Sequence, residues 1–154
     1  MKTSSRRGRG SVATDHRGLA WTVLGLWAAT EATGAKMLSG FVGRGGLHDE
    51  QLASTYPAGL VANGTLGTAA GALWALFMVT RIRALAWAAF GQFGVAIAAG
   101  TALAVPWHLA KRRGRPSRQA GGPEALRYPR AVEAGHAVLA WTTAALAGFV
   151  ARRS

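Results

Sequence analysis

The chain has no cysteine, six acidic residues and five prolines in 154 positions. The missing cysteine excludes disulfides, thiolate metal sites and cysteine redox chemistry within this chain. With six carboxylates in all, little is left for paired acid–base or di-metal work. Charge of either sign is scarce too, at 16% of residues, where a soluble domain carries about 25%. No phosphate loop, dinucleotide fingerprint or nucleophile elbow is present, and no cofactor is implied.

What is present points to a bilayer. Half of the residues are hydrophobic, 21 are glycine, and the charges cluster so that long stretches carry none. A charge at mid-membrane costs about 2.5–3.5 kcal/mol on insertion scales, so an uncharged run of helical length is what a membrane selects. The net charge of +12 would suggest nucleic acid in a soluble protein. Here most arginines lie outside the apolar segments, so the expected partner is a bilayer with anionic headgroups and not nucleic acid. A membrane-protein partner or a second copy of the chain is allowed for.

Four segments fit this description, so the fold class is all-α, a four-helix transmembrane bundle. The 24 residues from Pro57 to Thr80 carry no charge and reach about 36 Å as a helix, enough for a hydrocarbon core of about 30 Å. Arg81 and Arg83 close that run, and a second uncharged run from Ala84 to Trp107 ends at His108 and Lys111. A shorter segment from Ala134 to Ala151 ends at Arg152 and Arg153. The first segment, from Gly18, is interrupted by Glu31 and Lys36. A signal peptide cleaved near Ala35 is its rival reading. The expected organisation is a disordered basic tail over 1–17, then spans near 18–38, 57–80, 84–107 and 131–151. The basic loop from Lys111 to Arg130, rich in glycine and proline, reads as a flexible connection.

Trp21, Tyr56, Trp107 and Tyr128 fall near segment ends, where an interfacial aromatic belt would put them. Gly64, Gly67, Gly71 and Ala75 line one face of the second helix, and Gly91, Gly94 and Ala98 one face of the third. Small residues let membrane helices approach closely, so both faces are expected to pack inside the bundle. With four spans both termini share one side of the cell membrane, taken as the cytoplasm. Each side then carries nine basic residues, so counting positive charge does not orient the chain.

The candidate site residues are Glu31, Asn63 and Gln92. A carboxylate within a span usually faces the bundle interior, a water-filled cavity or a partner, which would make Glu31 a proton-coupling or ligand-binding group. The plainer reading, which the sequence favours, puts it hydrated at the membrane edge in a shorter helix. Lys36, five residues on, is about 140° around the helix and does not pair with it on one face. Asn63 and Gln92 are the amides inside the two firmest spans, able to hydrogen-bond across helices or to a ligand. Glu133 and His136 share a helix face, but a di-iron site needs a second Glu-x-x-His copy, so a headgroup-level ion pair is expected. His16, His48 and His108 have no ligand partners at metal spacing.

Taken together, Lys36-Met37-Leu38-Ser39-Gly40-Phe41-Val42-Gly43, Tyr56-Pro57-Ala58-Gly59-Leu60, the Gly71–Thr80 helix closing on Arg81-Ile82-Arg83-Ala84-Leu85-Ala86, and Tyr128-Pro129 resemble the DoxX family of small four-helix membrane proteins. That resemblance covers roughly residues 36 to 140. It implies a membrane subunit accessory to a quinone-linked or stress-response complex, as family members are linked to thiosulfate:quinone oxidoreduction and thiol stress. The second helix departs from the pattern in carrying no acid, and the loop before Tyr128 is more basic than the family suggests. Glu31-Ala32-Thr33-Gly34 faintly resembles the glutamate region of small multidrug-resistance transporters, which implies instead a small proton-coupled transporter using Glu31. A purely structural membrane protein is the third reading.

Overall fold

The computed structural model describes residues 9–43, 50–112 and 130–154, with side chains over 17–40, 42–43, 59–102, 104–105 and 131–154. All of it is helical apart from one turn and the last residue: α1 (Arg9–Gly43), α2 (Glu50–Thr80), α3 (Arg83–Arg112) and α4 (Arg130–Arg153). Among the described residues three helices are long and apolar enough to cross a membrane, over Gly59–Thr80, Arg83–Ala102 and Ala131–Arg153. They overlap the segments expected near 57–80, 84–107 and 131–151. α1 is not among them, because Glu31 and Lys36 interrupt its apolar text. It nevertheless runs unbroken through both residues and begins at Arg9, ahead of the Gly18 start expected from hydropathy. α2 likewise starts at Glu50, upstream of the proline-led entry expected at Pro57. The expected flexible loop lies outside the described residues over 113–129, as do Tyr128, His48 and the side chains of Tyr56, Trp107, His16 and His108.

The helices form an up-down-up-down ring in which each packs on two neighbours, α1 on α2 and α4, α3 on α2 and α4. Antiparallel register is fixed by side-chain contacts. The Trp74 indole N–H of α2 donates to the Ala20 carbonyl of α1 at 3.0 Å, and Trp27 of α1 donates to the Gly67 carbonyl of α2 at 3.0 Å. Between α3 and α4, a Cβ placed on Gly148 would come within 2.9 Å of the Phe90 ring, so that seam closes because position 148 has no side chain. Arg83 Nη2 reaches the Arg152 carbonyl at 3.5 Å, covering the C-terminal end of α4.

α2 and α3 are joined by Arg81 and Ile82 alone. Arg81 has φ of 60°, the left-handed conformation that usually ends a helix at glycine. Its N–H still donates to the Phe77 carbonyl at 2.8 Å, which closes α2 and turns the chain in two residues.

The core is confined to one half of the ring. Ala20, Val23, Ala70, Trp74, Phe77, Ala86, Ala89, Phe93, Ala144, Ala147, Val150 and Ala151 are buried, and all lie toward the end marked by Arg17, Arg81 and Arg152. In the other half, over 30–40, 59–66, 94–102 and 131–142, no described side chain is fully buried. Among the described residues, close packing is found at the Arg17, Arg81 and Arg152 end.

The small-residue faces divide accordingly. Gly67 and Gly71 are buried against α1 as expected, Gly64 lies in the other half, and Ala75 is exposed. The third-helix face is a correction: Gly91, Gly94 and Ala98 point outward, and a Cβ on either glycine would meet nothing within 4 Å. α3 instead buries Ala86, Ala89 and Phe93, which lie on the opposite side of a 3.6-residue helix. Trp21, an expected belt residue, is 60% exposed on the outer surface.

Candidate functional site

Above the core, α1 and α2 part around a half-open cavity of ≈ 620 Å³, within the range of about 300–1,000 Å³ typical of small-molecule sites. Its wall is mostly apolar, with Ala35, Met37, Leu38, Leu60, Val61 and Ala69 among the lining residues. Set into that wall are Glu31, Asn63, Thr68 and, from α4, His136.

Glu31 forms the floor of the cavity. It follows Trp27 by one helical turn, so both side chains face α2. A Cβ on Gly67 would collide with Glu31 Oε1, and one on Gly71 would collide with the Trp27 ring, so two missing side chains make the room these residues occupy. Gly67 lies eight residues inside Gly59, about 12 Å from the start of that apolar segment. The expected edge position for Glu31 requires a shorter first helix, and α1 does not end there.

The carboxylate has weak company. Most described threonines donate back to their own helix, as Thr30 does to Leu26 and Thr65 to Val61, both at 2.8 Å. Thr68 instead turns its hydroxyl to Glu31 Oε2, at 3.4 Å. That is long beside the usual 2.7–2.8 Å or so of an O–H···O bond. The Trp27 indole N–H is also within reach, though it is already given to the Gly67 carbonyl. No lysine, arginine or histidine among the described residues forms an ion pair with Glu31, and Lys36 is exposed.

His136 was missed as a site residue. The expected headgroup ion pair would turn it outward, but its Nδ1 lies 2.9 Å from Thr33 Oγ1 of α1, and its Cε1 would meet a Cβ on Gly34 at 3.4 Å. Thr30, Thr33 and Gly34 lie at spacings of three and four, so one α1 face meets His136 while Trp27 and Glu31 look to α2. The signal was legible only as a histidine one turn inside an apolar segment.

Asn63 lines the cavity, and its amide sits against Gly100 of α3, 3.4 Å from a Cβ placed there. Gln92 is not part of the site. It is half-buried on α3, and its side chain makes no hydrogen bond to a described residue. Among the described residues no three His, Asp or Glu side chains gather as metal ligands.

No family model, curated protein or solved structure matches this chain. Nothing in those comparisons identifies a DoxX family.

Proposed function

We propose that the chain is a multi-pass cell-membrane protein with four spans, both termini cytoplasmic, whose cavity binds a small ligand through Glu31 in exchange for a proton. The observation that carries this reading is the place of Glu31: at the floor of a ligand-sized cavity, beside Gly67, with no cationic partner among the described residues. A carboxylate so placed is stable protonated or beside a cation, and switching between the two is the elementary step of a proton-coupled carrier. Retention of α1 as a span is supported by Ala20 and Val23, which belong to the core and fall inside the segment that a signal peptidase would remove.

The experiment is flux in liposomes containing the purified protein and a pH-sensitive dye. Glu31→Gln removes the charge change with little change in shape and should abolish proton-linked flux while the protein folds. Glu31→Asp should retain part of it with a shifted pH dependence. Equal flux in the parent and the Gln variant would overturn the proposal.

The second reading is a DoxX-like subunit accessory to a quinone-linked or stress-response complex. The four-helix up-down order favours it. Quinone copurifying with the parent, together with no proton-linked flux, would select it.

A further inference from the structure

Resting on the reading of Glu31 as a ligand-binding carboxylate, we propose that His136 is a second, specificity-determining anchor. Through it the cavity takes a lipophilic protonated amine that carries a further O–H or N–H donor, in preference to a permanently quaternary cation.

The Thr33 hydroxyl has one proton, and its oxygen lies 2.8 Å from the Thr30 carbonyl. We assign that proton to Thr30, which makes Thr33 Oγ1 the acceptor for His136 Nδ1, at 2.9 Å, and places the neutral ring's hydrogen on Nδ1. The Thr30 carbonyl, beside Thr33 Oγ1, is a second acceptor within reach of the ring and holds the same tautomer. Nε2 is left as a lone-pair acceptor, without a hydrogen bond to any described residue, on a ring that lines the cavity.

The cavity thus offers a carboxylate at its floor, an imidazole acceptor from α4 and an apolar wall. Glu31 complements a cation, the wall complements a hydrocarbon body, and Nε2 complements a donor. A quaternary ammonium meets the carboxylate by charge alone, with no N–H to donate to it, and leaves Nε2 unpaired. The cavity is half open, with walls from α1 and α2 and His136 from α4.

The test compares N-dodecylethanolamine with dodecyltrimethylammonium at neutral pH, by calorimetric titration of the full chain in nanodiscs with empty nanodiscs subtracted. The parent should prefer the ethanolamine, and roughly three- to tenfold of that preference, the worth of one hydrogen bond, belongs to Nε2. His136→Asn keeps a donor near the Nδ1 position for Thr33 and has nothing at Nε2, so the preference should fall by that roughly three- to tenfold while both ligands still bind. His136→Gln, whose amide oxygen reaches toward the Nε2 position, should restore part of it. Equal affinities in the parent, or an unchanged preference in His136→Asn, would overturn the proposal. Should His136→Asn fail to fold, dodecyl(2-hydroxyethyl)dimethylammonium against dodecyltrimethylammonium on the parent isolates the hydroxyl contact, and equal affinities overturn the proposal. Glu31→Gln separates this from the underlying reading: unchanged binding of both amphiphiles defeats the Glu31 site itself, whereas loss of both beside a parent without preference defeats only the role of His136.

Discussion

Glu31 of α1 and Gly67 of α2 share one space, the carboxylate occupying the place where a side chain at 67 would begin. Four residues along, Trp27 and Gly71 repeat the arrangement with a rigid ring in place of a flexible chain end. The same substitution at the two glycines should therefore have opposite consequences.

Gly71→Ala drives a methyl group into the Trp27 ring, which is held by the hydrogen bond to the Gly67 carbonyl. Overpacking of this kind costs about 1–3 kcal/mol, more than the 0.5–1 kcal/mol or so gained by removing a helical glycine. A clear drop in melting temperature in detergent is the expected outcome. Gly67→Ala meets only the movable end of Glu31, so the melting temperature should hold or rise while proton-linked flux falls. Equal thermal loss in both variants would show that the α1–α2 seam does not distinguish ring from carboxylate.

Gly94→Leu on α3 should leave melting temperature and detergent extraction unchanged, because position 94 faces outward with open space around its Cα. Gly148→Leu should fail to assemble, since the Phe90 ring occupies that space. Both are read by size-exclusion profile and thermal melt.

Arg81→Gly should stabilise the fold. A non-glycine residue in the left-handed region carries strain of about 1–2 kcal/mol, which glycine removes. The gain is smaller than that by the entropy lost on fixing glycine, so a rise of a few degrees is expected. A fall would mean that the arginine side chain contributes more at the helix ends than its backbone costs.

Tags placed at the two termini should report the same side of the membrane, the cytoplasm, if α1 spans together with the other three helices. Opposite sides would show that one terminal helix does not cross.

Helical class and three apolar segments of membrane length were legible in the sequence because they depend on local quantities. An uncharged run bounded by arginine must be helical in lipid, where each backbone polar group needs an internal partner. Three of the segments read that way are long and apolar enough to cross. The first was harder to read, since Glu31 and Lys36 lower its hydropathy while Ala20, Val23 and Trp27 tie it into the bundle. Periodicity located the small-residue faces on α2 and α3, but it says only which residues share a side. Which side turns inward depends on the neighbouring helix, and for α3 bulkier Phe93 with Ala86 and Ala89 took the inner position, leaving Gly91 and Gly94 outside.

By itself the sequence determined that the protein is helical, apolar in long segments, free of cysteine chemistry and poor in carboxylates. Only the tertiary structure decided that Glu31 and Asn63 share a cavity, that Gln92 stands apart, and that His136 joins them from 105 residues beyond Glu31. The physical reason is that these neighbours lie on different helices. Their meeting depends on how close two backbones come, and that distance is set pairwise, by Gly67 under Glu31 and Gly71 under Trp27, not by any property of one segment alone.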